Sequence, residues 1–196
     1  GSTIDKLNPF SASVKLPELA PVKATAQVTT VWRGSVPKSG DFVLLPARVD
    51  DTVYAAGRDG TIVRLDGGRQ IWKLDAGVTI SGGVGASDKL VEVGCPKGEV
   101  RAFGVDGKPL WESRVSSEVL APPAVGDDVV LVRSSDSRIH ALDPSDGKRK
   151  WIYQRATPSL ALRSVAGPVI LDKAALVGFS GGKLLALSLA NGGPLW

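Results

Sequence analysis

"SDGKRKW" occupies residues 145–151, and the chain holds three near copies of it: "GVDGKPLW" (104–111), "DGGRQIW" (66–72) and "ANGGPLW" (190–196). In each, a glycine stands four residues before a tryptophan. Gly68, Gly107, Gly147 and Gly192 precede Trp72, Trp111, Trp151 and Trp196. Asp106, Asp146 and Asn191 come just before three of these glycines. Asp-Gly and Asn-Gly favour tight hairpin turns because both residues tolerate positive φ. Each copy therefore reads as a hairpin turn whose second strand carries the tryptophan.

A fifth tryptophan, Trp32, extends the series, and the five are separated by 40, 39, 40 and 45 residues. Periods of this size belong to propellers or helical arrays, and the intervening residues decide between them. "GTIVRL" (60–65), "GEVRAF" (98–103), "SRIHAL" (137–142) and "GKLLAL" (182–187) align without gaps. Their third positions are Ile62, Val100, Ile139 and Leu184; their sixth are Leu65, Phe103, Leu142 and Leu187. Before each lies a strand opened by aspartate: "DTVYAAG" (51–57), "DKLVEVG" (88–94), "DVVLVRS" (128–134) and "DKAALVG" (172–178). Before that comes an apolar segment rich in small residues or proline: "FVLLPARV" (42–49), "ISGGVGA" (80–86), "LAPPAVG" (120–126) and "AGPVIL" (166–171).

Four short strands recur in each period, and no segment sustains a 3.6-residue period. The fold class is all-β, a β-propeller of four-stranded antiparallel blades. Four blades are expected at about 41–77, 78–116, 117–156 and 157–196. A blade must bury both faces against its neighbours, so one repeat is unstable alone. Trp32, Trp72, Trp111, Trp151 and Trp196 are assigned to blade docking, because an indole offers a large flat surface. The glycine four residues earlier is read as the turn that aims the ring. Residues 28–36, "VTTVWRGSV", form an orphan outer strand with no inner strands before it. Residues 1–27 read as a tag-removal scar followed by a flexible tether rich in Pro, Ala, Ser and Lys. The orphan strand and the stop at Trp196 suggest a fragment of a longer propeller, with self-association of the exposed faces.

The composition bounds function. The chain is 43% hydrophobic and 22% charged, with a net charge of +4. No stretch of about 18 apolar residues is present. Lys and Arg are scattered rather than gathered on one segment, so nucleic acid is not expected as a partner. Cys95 and His140 are single residues of their kind, and a metal site usually needs several such ligands. "SGGVGAS" (81–87) lacks the lysine and following helix of a phosphate loop and is read as small residues packed near the propeller axis. Asp51, Asp88, Asp128 and Asp172 recur once per blade, which is turn chemistry rather than catalysis. No catalytic set, metal or cofactor is expected.

The run "ALDPSDGKRKW" (141–151) resembles the repeat of pyrroloquinoline-quinone-type propellers. Within that group, "TPSLALRS" (157–164) is similar to the "PSLSLRG" loop of the BamB family. "TVYAAGRDGTIVRLDGGRQIW" (52–72) and the early "TTVW" resemble that family's first blade and closing strand. The likeness covers about 28–196, the N-terminal half of such a protein. It implies half of an eight-bladed, lipid-anchored propeller at the periplasmic face of the outer membrane, with the anchor absent from this chain. It also implies a non-enzymatic scaffold of the β-barrel assembly machinery that docks on the periplasmic domains of BamA. Unfolded outer-membrane proteins are further candidate partners. Carried over by position, Leu160, Leu162 and Arg163 are the expected BamA contacts. From spacing alone, the two leucines fit better as an outer strand continuing into the core, and the resemblance reverses that reading. Two other functions stay open: half of a quinone-dependent dehydrogenase, whose adjacent cysteine pair a single Cys95 cannot supply, or a generic peptide-binding propeller.

Overall fold

The computed structural model describes residues 18, 20, 21, 23–155 and 164–196. The chain divides into two units, Gly1–Val31 and Trp32–Trp196. The described residues of the first are exposed and carry no strand or helix. All fifteen strands belong to the second unit, and no helix occurs among the described residues.

The first sheet holds β1 (Ala47–Val49), β2 (Thr52–Ala56), β3 (Thr61–Asp66) and β4 (Arg69–Asp75), paired in chain order. The second repeats this with β5 (Gly82–Ala86), β6 (Leu90–Gly94), β7 (Glu99–Gly104) and β8 (Pro109–Arg114). The third holds β9 (Ala124–Val125), β10 (Val130–Arg133), β11 (Arg138–Leu142) and β12 (Arg149–Gln154). The fourth holds β13 (Val169–Leu171), β14 (Ala174–Phe179) and β15 (Lys183–Ser188). Every pairing is antiparallel. These are the blades of a propeller.

The first strands of successive blades approach one another: β1 meets β5, β5 meets β9, and β9 meets β13. Backbone bonds tie the first pair, with Leu45 N donating to Gly83 O at 2.9 Å and Val84 N donating to Leu45 O at 2.8 Å. Small residues permit this crowding. A β-carbon on Gly82 would fall 2.7 Å from Val119 O. One on Gly85 would collide with Pro123 O.

Between the blades lie three apolar layers. Tyr54, Ile62, Val91, Val93 and Phe103 join blades 1 and 2. Leu90, Val100, Val119, Val130 and Leu142 join blades 2 and 3. Leu131, Ile139, Trp151, Ala175 and Leu187 join blades 3 and 4. Alternate residues of one strand serve opposite layers, as the two-residue period of a strand requires. Val91 faces blade 1 while Leu90 faces blade 3.

Three details differ from the sequence reading. Ladder register makes Asp50, Asp88, Asp127 and Asp172 the equivalent turn aspartates, because Val53, Val91, Val130 and Ala175 pair with Leu65, Phe103, Leu142 and Leu187. Blades 1 and 3 carry Asp-Asp pairs, Asp50-Asp51 and Asp127-Asp128, and the register selects the first residue of each where the repeat pattern points to the second. The outer edge of blade 4 is a single bridge, Leu187 to Pro194, where earlier blades have a full strand. Residues 28–36 carry no strand.

Candidate partner-binding site

The tryptophans show how one blade holds the next. A β-carbon on Gly107 would fall 3.3 Å from Trp72 Cδ2, and one on Gly147 would fall 2.8 Å from Trp111 Cδ2. One on Gly192 would fall 2.8 Å from Trp151 Cδ2. Each glycine thus seats the tryptophan of the preceding blade, not that of its own hairpin. The indole nitrogens complete the seat. Trp72 Nε1 donates to Val105 O at 2.9 Å, Trp111 Nε1 to Pro144 O at 2.8 Å, and Trp151 Nε1 to Leu189 O at 2.8 Å. Trp32 lies over Gly68 in the same way, its Cβ 3.0 Å from the position a side chain would take. Trp196 is 66% exposed, and so is much of Leu184, whose equivalents Ile62, Val100 and Ile139 are fully buried.

The asparagine or aspartate before these glycines closes the turn. Asp106 Oδ1 accepts from Lys108 N at 3.1 Å, Asp146 Oδ1 from Lys148 N at 2.9 Å, and Asn191 Oδ1 from Gly193 N at 2.9 Å. The glycines themselves take φ of +85°, +72° and +72°. Turn geometry and ring clearance therefore select glycine together.

Leu160, Leu162 and Arg163 lie outside the described residues. Their connection leaves blade 3 after Arg155 and re-enters the described chain at Ser164. One flank, Arg155, meets an aromatic ring that Arg133 of β10 also meets, and Arg133 reaches the other flank at Ala166. Arg155 Cζ lies 5.2 Å from the centre of Phe179, and Arg133 Cζ also lies 5.2 Å from it. Arg133 Nη1 donates to Gly178 O at 2.6 Å and to Ala166 O at 3.4 Å. Tyr153 sits 6.4 Å from the same ring. The seam between blades 3 and 4 thus anchors the connection at both its described ends.

A second polar cluster joins Ser116, Ser134, Asp136 and His140. Ser116 Oγ donates to Asp136 Oδ2 at 2.7 Å, and Ser134 Oγ donates to Asp136 Oδ1. His140 Nε2 lies 3.1 Å and 3.0 Å from the two hydroxyls. Each hydroxyl owns one proton, already given to the carboxylate, so Nε2 is left as the donor. Burial pushes the His140 pKa down to about 4, keeping the ring neutral. For Asp136, burial works upward but is outweighed by the hydrogen bonds from Ser134 and Ser116 and by Arg138, and the carboxyl stays below its ordinary value. Both hydroxyls are thus taken up by the carboxylate and the ring is neutral, a network that holds these side chains together. The cluster locks the β10–β11 turn to the β8–β9 connection.

Two buried groups escaped the sequence reading. Glu92 in β6 is fully buried, and neither carboxyl oxygen has a partner. It pairs across the sheet with Gly85 and Ala102 and, by strand alternation, shares the side of Leu90 that faces blade 3. Burial pushes its pKa up to about 8, so it is held protonated at neutral pH. Arg133 is likewise buried within "VVLVRS". The available signal was a charge inside a strand apolar on both faces. Cys95 is buried too, its thiol pushed up to about 11 by burial and, further, by Glu99. No group of three or more His, Cys, Asp or Glu able to hold a metal occurs among the described residues.

Comparison with known proteins accounts for this arrangement. The family model of the outer membrane protein assembly factor BamB matches residues 58–196. The chain belongs to the BamB family. The BamB of Nitrosomonas eutropha is 41% identical over 181 residues, covering 91% of this chain and 44% of the relative. That of Burkholderia pseudomallei is 40% identical, covering 91% and 48%. The crystal structure of BamB from Moraxella catarrhalis superimposes with a TM-score of 0.74 at 28% identity, covering 84% of this chain and 51% of that one. The chain spans about half the length of the BamB relatives it matches.

Proposed function

We propose that the chain is a non-enzymatic scaffold of the outer-membrane β-barrel assembly machinery, docking on the periplasmic domains of BamA. In this reading it works at the periplasmic face of the outer membrane, held by a lipid in the native protein. The observation that carries it is membership of a family whose relatives are named outer membrane protein assembly factors. The contact surface is the connection between blades 3 and 4, with Leu160, Leu162 and Arg163 as its contact residues. Two features support this. The seam of Arg133, Phe179 and Arg155 ties down both described flanks, which reduces the entropy lost when a loop binds. An arginine in the connection also matches interface composition, where arginine is enriched.

The test is a pull-down with purified BamA periplasmic domains. Wild type is compared with Leu160→Ala/Leu162→Ala/Arg163→Ala. The triple variant is expected to lose retention while keeping its melting temperature. Equal retention removes this connection from the interface.

A further inference from the structure

Arg133 and Arg155 stand on one aromatic ring, and neither is paired with a carboxylate among the described residues. Elsewhere in the blades Arg48, Arg58, Arg64, Arg101, Arg114 and Arg138 each face an acid, while the strand arginines Arg69 and Arg149 are not in ion pairs among the described residues. Arg133 is the more deeply placed, 8% exposed, and among the described residues its hydrogen bonds run from Nη1 alone, to two carbonyls. Burial also holds its guanidinium below the ordinary value. A desolvated charge met only by dipoles is costly, and a counter-charge is the usual remedy. Arg155 adds a second positive charge to the same ring from a half-buried position.

We propose that Arg133, Phe179 and Arg155 form a binding site for a carboxylate side chain on a partner protein, at the seam between blades 3 and 4. Arg155 makes the direct charge-assisted contact, because its guanidinium is the accessible one. Arg133 is a positioning residue that sets the potential and fixes Phe179. The ring offers a face for the apolar part of the same partner segment. Approach is open. After Phe179 the chain turns through Gly181 and Gly182, and a β-carbon on either would meet nothing within 4 Å. Val165, 44% exposed, gives the rim an apolar edge beside Ala166. An arginine pair around an aromatic is the composition of binding hot spots. The partner's identity rests on the BamA reading above; the chemistry of the site does not.

Two measurements separate the two. In the first, N-acetyl-glutamate amide is titrated into the 15N-labelled chain while the arginine Nε–Hε resonances are followed. Saturable shifts confined to Arg133 and Arg155 support the site. Absence of saturation, or equal shifts at all arginines, overturns it. In the second, affinity for purified BamA periplasmic domains is measured for wild type, Arg155→Glu, Arg155→Lys and Phe179→Leu. Melting temperatures serve as the folding control. Arg155→Glu is expected to weaken binding by about 10–100-fold and to flatten its salt dependence. Arg155→Lys is expected to recover part of the loss. If wild type binds and Arg155→Glu binds equally well, the site is not a partner contact and the proposal fails. If wild type does not bind while the titration saturates, the carboxylate site stands and the BamA reading falls.

Discussion

The six-membered ring of Trp111 fills the space where Gly147 would carry a side chain: a β-carbon there would fall 2.8 Å from Trp111 Cδ2. The two residues sit on adjacent blades, so one missing methyl group sets the distance between two sheets. Gly147→Ala adds that methyl at a φ of +72°. The expected loss is about 2–4 kcal/mol, from overpacking and left-handed strain together. Gly67 isolates the strain, since its φ is +56° and nothing lies within 4 Å. Gly67→Ala is expected to cost only about 1 kcal/mol. Urea denaturation of both variants measures the difference, and equal losses would remove the ring from the explanation.

Removing a seated ring should matter where the seat is filled and not where the ring is bare. Trp151 is 9% exposed and donates to Leu189 O, whereas Trp196 is 66% exposed. In this chain Trp151→Ala is expected to cost about 3–5 kcal/mol. Trp196→Ala should stay within about 0.5 kcal/mol. Thermal melts of the two variants make the comparison.

Glu92 gives the stability a slope with pH. Its ordinary value is 4.5 and its folded value about 8. Between these, the folded chain keeps a proton that the unfolded chain has released. Its contribution is therefore complete below pH 4.5 and is lost as pH rises toward 8. Glu92→Gln is expected to abolish the decline between pH 6.5 and 8. Glu92→Leu, which buries no unpartnered oxygen, should raise stability at pH 8 by about 1–3 kcal/mol. Chemical denaturation across that interval would show an unchanged slope if the carboxyl were not responsible.

His140 acts in the opposite sense. Its folded value, about 4, lies below the ordinary 6.5. Between them the unfolded chain takes up a proton that the folded chain refuses, so stability is lost as pH falls from 6.5 toward 4. From pH 4.5 to 6.5 the two slopes oppose, and the wild-type profile should be nearly flat. His140→Gln keeps a donor for Ser116 and Ser134 while removing the titration. In that variant stability should rise as pH falls through this range, exposing the Glu92 slope alone. Acid-side denaturation curves of the double variant with Glu92→Gln should be flat again.

What the sequence alone determined is the local and repeated part: the four-strand period, the Asx-Gly hairpins, and the blades they build. These depend on alternation within a few residues and on turn chemistry that any copy of the repeat displays. Residues such as Ile62, Val100 and Ile139 were visible because one packing demand recurs in every blade. Contacts between blades were decided only by tertiary structure. Gly147 and Trp111 lie 36 positions apart in the chain, and pairing the glycine with the tryptophan of its own hairpin is equally consistent with the repeat. Glu92, Arg133 and the ring shared by Arg133, Arg155 and Phe179 each occur once, so no periodicity announces them. Their burial and their partners arise where two sheets meet, a relation that no window along a single strand contains.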